Sequence, residues 1–269
     1  MAYKKAYFSA FNFEKHGNNI FRLFMTIEKN KNILKGKIYL IPTPLGEPFK
    51  DNLHTIPAYV IEIIHGLDTF IAERAKTARH FIKATKQPIP LPNLTIFELD
   101  DKGEFSEYPA IMEILKAGKN IGILSEAGCP GIADPGSVVV AWAHRQNIEV
   151  VPLVGPSSIL LALIASGMNG QSFTFHGYVS AKREDLGKDL KKLEETAKRL
   201  QQTQIFIETP YRNGQMIETA FKVLQPNTRF GIAADLTTPH QYIAVKTIAE
   251  WKKAKLPELH KHPVVFIIL

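Results

Sequence analysis

Cysteine is almost missing from this chain. A single one, Cys129, stands in 269 residues, which excludes an internal disulfide and any cysteine-based zinc cluster and suits a reducing, cytoplasmic setting. Long apolar runs are missing as well: no stretch approaches the ~18 consecutive apolar residues of a membrane span. The apolar segment after Lys4 and Lys5 is broken by Asn12, Glu14 and Lys15, so it is not read as a secretory signal. Internal repeats and low-complexity tracts are lacking too. Acidic residues are the minority charge, 26 against 33 Lys and Arg, for a formal net charge of +7. That balance favours an anionic partner such as RNA, although solubility alone accounts for it equally well.

What the chain does have is an unusual concentration of glycine and proline at Ser125 to Gly136, S-E-A-G-C-P-G-I-A-D-P-G. It follows the apolar run Ile121 to Leu124 and precedes an apolar-rich helix beginning near Ser137. Three glycines and two prolines in twelve residues suit backbone that turns tightly and approaches a ligand closely. A loop between the carboxyl end of a strand and a helix is where open α/β sheets bind nucleotide-like molecules. Gly128, Gly131 and Gly136 do not have the dinucleotide spacing G-x-G-x-x-G. The stretch Gly131 to Ser137 has the glycine spacing of a phosphate loop but lacks its lysine, so nothing demands a polyphosphate.

Along the chain, strands are expected at Gly36 to Ile41, Thr69 to Ala72, Ile121 to Leu124 and Glu149 to Leu153. Helices are expected at Ala75 to Ala84, Glu107 to Gly118 and Ser137 to Gln146. Alternation at these lengths implies a largely parallel sheet with crossovers. Gly155-Pro156-Ser157-Ser158 opens a nearly all-apolar helix, Ile159 to Ala165, which is expected to be buried on most sides. The rest reads as strand, long helix, strand, helix and strands. Leu186, Leu190, Leu193, Ala197 and Leu200 form one apolar stripe over 183–202, and strands follow at Gln204 to Glu208, Arg229 to Ala233, Gln241 to Val245 and Val264 to Leu269. The expected organisation is an extension (1–35, with Met25 as an alternative start), an amino-terminal α/β domain (36–154) and a carboxyl-terminal α/β domain (155–269).

Several residues carry two readings. Glu73, at a strand end, is a catalytic or substrate-positioning carboxylate, or an ion-pair partner of Arg74 or Arg79. Arg212, after a Thr-Pro turn, suits a phosphate contact or a salt bridge, and Tyr211 a stacked base or plain packing. Asp134-Pro135 is a functional carboxylate or a helix cap followed by proline. Ser157 and Ser158 are caps, ligand contacts or both. His260 and His262 lack a third ligand at sensible spacing, so no metal site is expected. The lysines of 182–202 read as a solvated helix face more readily than as an RNA track, and Cys129 has no neighbouring cation to activate it.

Five elements in order, I-P-T-P-L-G (41–46), the glycine-proline segment (125–136), V-P-L-V-G-P-S-S (151–158), F-I-E-T-P-Y-R (206–212) and A-D-L-T (234–237), resemble the tetrapyrrole methylase superfamily. Within it they are most similar to the ribosomal-RNA small-subunit 2'-O-ribose methyltransferases. The resemblance implies a two-domain α/β methyltransferase, each domain a mostly parallel or mixed sheet flanked by helices. It implies S-adenosylmethionine in the cleft between domains, a homodimer, and RNA or the small ribosomal subunit as partner. Carried over by position, Pro44, Glu126, Ala127, Gly128, Ile132, Ser157, Ser158, Glu208, Thr209, Leu236 and Thr237 are the implied cofactor contacts. Glu73, Arg79 and Arg212 are the candidate catalytic residues. The chain departs from the branch at Arg74 (a carboxylate there), Glu126 (Asp), Cys129 (Thr), Tyr211 (His), Thr238 (Lys) and Glu47-Pro48 (Asn-Leu). A small-molecule acceptor such as a tetrapyrrole precursor, or a catalytically silent RNA-binding relative, are the alternative readings.

Overall fold

Two five-stranded sheets organise the chain. The structure is a computed structural model that describes residues 36–99, 105–180 and 182–269; the expected extension at 1–35 lies outside the described residues. The first sheet contains β1 (Lys37–Ile41), β2 (Thr69–Ala72), β3 (Thr95–Glu98), β4 (Ile121–Leu124) and β5 (Glu149–Pro152) in the order β3-β2-β4-β1-β5. Every pairing is parallel. Central parallel strands are covered on both faces and therefore carry unbroken apolar runs, which is why β2 and β4 are buried at all four positions. One face packs the cluster around Phe70, Phe81 and Ile64, the other that around Ile71, Ile123 and Trp142.

The helices of this half are α1 (Phe49–Asn52), α2 (Ala58–His65), α3 (Ala75–Ala84), α4 (Tyr108–Lys116) and α5 (Ser137–Arg145). α3 buries Ala75, Ala78, Phe81 and Ile82 and leaves its polar side to solvent. Between β5 and the next helix, Gly155 passes so close to Pro42 that a Cβ there would lie 2.2 Å from the ring Cγ. Only glycine allows that approach.

The second sheet contains β6 (Phe173–Tyr178), β7 (Thr203–Ile207), β8 (Arg229–Ala234), β9 (Tyr242–Thr247) and β10 (Val264–Ile268), ordered β6-β7-β10-β8-β9. Only β6 and β7 run parallel; the β10–β7, β10–β8 and β8–β9 pairs are antiparallel. Around it lie α6 (Ser158–Ser166), α7 (Arg183–Leu200), α8 (Asn213–Val223) and α9 (Ile248–Trp251). The stripe of α7 is buried at Leu186, Leu190, Leu193 and Ala197. Leu200 departs from it at 50% exposed, as the last residue of the helix before Gln201 turns into a left-handed conformation.

α6 corrects a second expectation. Ile159, Ala162, Leu163 and Ser166 are buried, but Leu160 is 52% and Ile164 74% exposed. The helix packs on β9 and β10 by one side, and its other apolar side has no cover among the described residues.

Candidate functional site

The two halves face each other across a cavity of about 370 Å³, within the ~300–1,000 Å³ of typical ligand pockets. The glycine-proline segment forms its floor. Thr43 and Gly128 exchange backbone hydrogen bonds, Thr43 N to Gly128 O at 2.9 Å and Gly128 N to Thr43 O at 3.1 Å. The loops after β1 and β4 are thereby zipped together. Ser125 Oγ donates to Gly128 O at 2.7 Å, and Thr43 Oγ1 donates to Ser125 O at 3.3 Å. Gly128 has φ of +78°, the left-handed region in which L-residues are strained.

Asp134 stiffens the other end of the loop. Its Oδ1 accepts from the amides of Gly131 (2.9 Å) and Gly136 (2.6 Å). Gly136, not Asp134, occupies the position capping α5, so the carboxylate closes the turn rather than the helix. Its Oδ2 is buried and has no hydrogen-bond partner among the described residues, and the side chain neighbours Glu73, at the carboxyl end of β2. Burial, the negative charges of Asp134 and Glu126, and a hydrogen bond shared with Asp134 raise Glu73 from 4.5 to about 7, with Arg74 opposing. Asp134 is raised by burial and held down by its two amides and by Glu73. Glu73 is thereby a weaker acid than a free glutamate, poised to gain or lose its proton near neutral pH.

Charge in the cavity is one-sided. Glu73, Glu126, Asp134 and Glu208 line it, with no lysine, arginine or histidine among the lining residues. A polyphosphate would be repelled, whereas a compact cation with an apolar body would be welcome. Burial raises the Cys129 thiol, keeping it protonated at neutral pH and unsuited to nucleophilic work; it points to Pro156 O at 3.4 Å.

The structure brings most of the implied contacts together. Glu126, Ala127, Gly128, Ile132, Ser157, Ser158, Glu208 and Leu236 all line the cavity, as does Glu73. Ser157 also caps α6, accepting from Leu160 N at 3.5 Å, so the cap reading is the one the geometry displays, at a residue that lines the cavity. Pro44, Thr209 and Thr237 are not in the lining. Arg212 is not either: its Nη2 lies 3.1 Å from Glu208 Oε2 and donates to Ser180 O at 3.1 Å. Because that donor points at Ser180, Glu208 Oε2 gains charge neutralisation without a well-angled hydrogen bond. The salt-bridge reading of Arg212 is the one the geometry displays. Arg79 sits on the exposed side of α3, away from the cavity. His262 Nδ1 pairs with Asp235 Oδ2 at 2.6 Å while His260 packs edge-on against Tyr211, so the two histidines serve different neighbours.

Other lining residues had no signal in the sequence. Phe175, Tyr178, Ala233 and Pro263 to Val265 reach the cavity from β6, β8 and β10. Each lies in an ordinary apolar strand pattern that core packing explains equally well.

The arrangement of two α/β halves around a cavity is the fold of a methyltransferase: the crystal structure of the methyltransferase CobJ superposes with a TM-score of 0.56 at 20% identity, over 87% of this chain and 93% of that one. The chain belongs to the Tetrapyrrole (Corrin/Porphyrin) Methylases, whose family model matches residues 37–252, and it is a methyltransferase. Among curated relatives, the "Ribosomal RNA small subunit methyltransferase I" of Bacillus subtilis is 31% identical over 80% of this chain and 68% of its own length. The protein of the same name from Vibrio cholerae is 32% identical over 82% of this chain and 73% of its own length.

Proposed function

We propose that this chain transfers the methyl group of S-adenosylmethionine to a ribose 2'-hydroxyl of small-subunit ribosomal RNA. The observation that carries the reading is the partly apolar cavity whose floor is backbone and whose charged lining residues are all acidic. It suits a ligand that is a sulfonium cation at one end and an uncharged nucleoside at the other. The printed names of the relatives support the RNA acceptor.

Gly128, Ala127 and Ile132 would hold the nucleoside on the amino-terminal side, and Ser157, Ser158 and Leu236 would meet it from the other. When bound, S-adenosylmethionine supplies an electrophilic methyl carbon for in-line displacement. Fixing the acceptor oxygen at about 3–3.5 Å from that carbon provides much of the acceleration. Glu73 accepts the proton of the acceptor hydroxyl. A base with its pKa near the operating pH combines a useful ionised fraction with proton-accepting strength. Asp134, locked by two amides, keeps the Glu73 carboxyl turned into the cavity.

The test uses the full chain, S-adenosylmethionine with a labelled methyl group, and small ribosomal subunits from cells lacking the gene. Label is expected in an alkali-resistant 2'-O-methylated dinucleotide. Label in a small coloured product instead would move the acceptor to the tetrapyrrole side.

The reading includes a homodimer working in the cytoplasm. Leu160 and Ile164 stand one turn apart on the same side of α6, and two large aliphatic side chains open to water favour burial against a second copy. Among the described residues no helix is long and apolar enough to cross a membrane. Ile164→Glu is expected to sediment as a monomer where the parent sediments as a dimer; a monomeric parent would refute the assignment.

A further inference from the structure

An acidic cavity suits a sulfonium but leaves the phosphates that flank an RNA acceptor without partners. A polynucleotide held at the cleft needs cations just outside it. The segment that leaves the cavity at Glu73 supplies them. Arg74, Lys76, Arg79, Lys83 and Lys86 place five formal positive charges in residues 74–87, which hold no acidic residue.

The helix displays these charges together. At ~100° per residue, Lys76, Arg79, His80 and Lys83 fall in one stripe about 100° wide, opposite the buried side of Ala75, Ala78, Phe81 and Ile82. All four are exposed, as are Arg74 and Lys86. Among the described residues, none of the five lysines and arginines has a carboxylate within 4 Å. Three carboxylates lie near the helix: Glu47 is 3.9 Å from His80, Glu98 accepts the Ala75 amide at the helix start, and Glu73, which lines the cavity, precedes Arg74. α7 offers the contrast. Its Lys188 and Lys198 are balanced by Asp185 and Glu194 on the same helix, the mixed pattern of a solvated surface.

We propose that the exposed side of α3, entered at Arg74, is a phosphate track that holds the single-stranded RNA backbone next to the acceptor nucleotide. The inference rests on the reading of the chain as an RNA methyltransferase. From Lys76 to Lys83 the helix rises about 10 Å, room for more than one phosphate. Arg79 is then a substrate-positioning side chain rather than a member of the reacting set. The chemistry divides by charge: cations outside grip phosphates, carboxylates inside receive the sulfonium and the departing proton.

The experiment measures binding of a fluorescently labelled oligouridylate to the full chain across a salt series, for the parent, for Lys76→Glu/Lys83→Glu, and for Lys191→Glu/Lys192→Glu on α7 as control. All four positions are on helix surfaces. The α3 double variant is expected to bind about tenfold or more weakly at low salt. Its log–log salt dependence should be shallower by about 1.4, or ~0.7 per lost phosphate contact. The control should stay close to the parent, and cofactor binding should be unchanged in all three. Equal affinity and slope in the α3 variant, or no binding of the oligonucleotide by the parent, would overturn the track. So would loss of binding to anionic lipid vesicles with RNA binding retained. Methyl transfer to small subunits by the parent is scored separately, so a working enzyme with an unaffected α3 variant rejects only the track.

Discussion

Glu73→Gln is expected to lower kcat by about 10²–10⁴-fold, the span of a lost general base, while the variant still binds S-adenosylmethionine. The same change should make the protein more heat-stable above neutral pH. Glu73 is raised in the folded chain from 4.5 to about 7, chiefly by burial and then by Asp134 and Glu126. A carboxyl raised in this way stabilises the fold while protonated, and that contribution is lost as pH climbs from about 4.5 through 7. Glutamine cannot ionise, and its amide can donate to the buried Asp134 Oδ2, which has no hydrogen-bond partner among the described residues. The melting temperature of the variant should therefore exceed the parent's at pH 8 and match it near pH 4. Parent kcat should rise with pH through about 7, as the carboxylate forms. A variant with full kcat would remove Glu73 from the chemistry; one whose melting temperature matches the parent's at both pH values would mean that Glu73 is not raised in the folded chain.

That a single side chain can both weaken the fold and be proposed as the base follows from where it stands. β2 delivers Glu73 to the cavity from a strand buried at every position, so the side chain emerges half-buried beside other carboxylates. Asp134 is sixty-one residues away in sequence and meets it only because β2 and β4 are neighbours in the sheet. No spacing rule joins two residues that far apart, and the pairing was illegible in the sequence for that reason. Asp134 by itself reads as a helix cap.

The elements that were legible are those whose pattern has one physical explanation. β2 and β4 were read at their observed bounds because a short, unbroken apolar run between turn signals suits a buried parallel strand. Ala75 to Ala84 was legible because its apolar positions fall on one side. β3 was not seen: Thr95-Ile-Phe-Glu is a half-exposed edge strand without alternation or a full apolar run. α6 shows the converse failure. An apolar side chain left open has the same composition as one buried in the core, and only coordinates separate Leu163 from Ile164. The cavity divides the same way. Its glycine and serine turns announce themselves because turn chemistry restricts residue choice, whereas Phe175, Ala233 and Val265 look like any strand residue.

Gly128→Val is the sharpest test of where the cofactor lies. Gly128 lines the cavity with φ of +78°, and a Cβ there would lie 3.2 Å from Leu45 Cδ2 and 3.4 Å from Pro156 O. Two costs follow. Forcing a β-branched residue into the left-handed region costs about 1–3 kcal/mol, enough to lower the melting temperature by several degrees but not to unfold a chain of this size. Separately, the two methyl groups extend beyond the Cβ into the floor of the cavity, where the nucleoside must approach backbone. Cofactor affinity is expected to fall about 100-fold or more, equivalent to ~3 kcal/mol. Gly128→Ala separates the two effects, since alanine incurs the backbone strain without the branched methyls. It should lose comparable stability and much less affinity. If valine and alanine lower the melting temperature alike and neither weakens S-adenosylmethionine binding in calorimetry, the glycine serves only the Thr43 bridge, and the cofactor rests elsewhere.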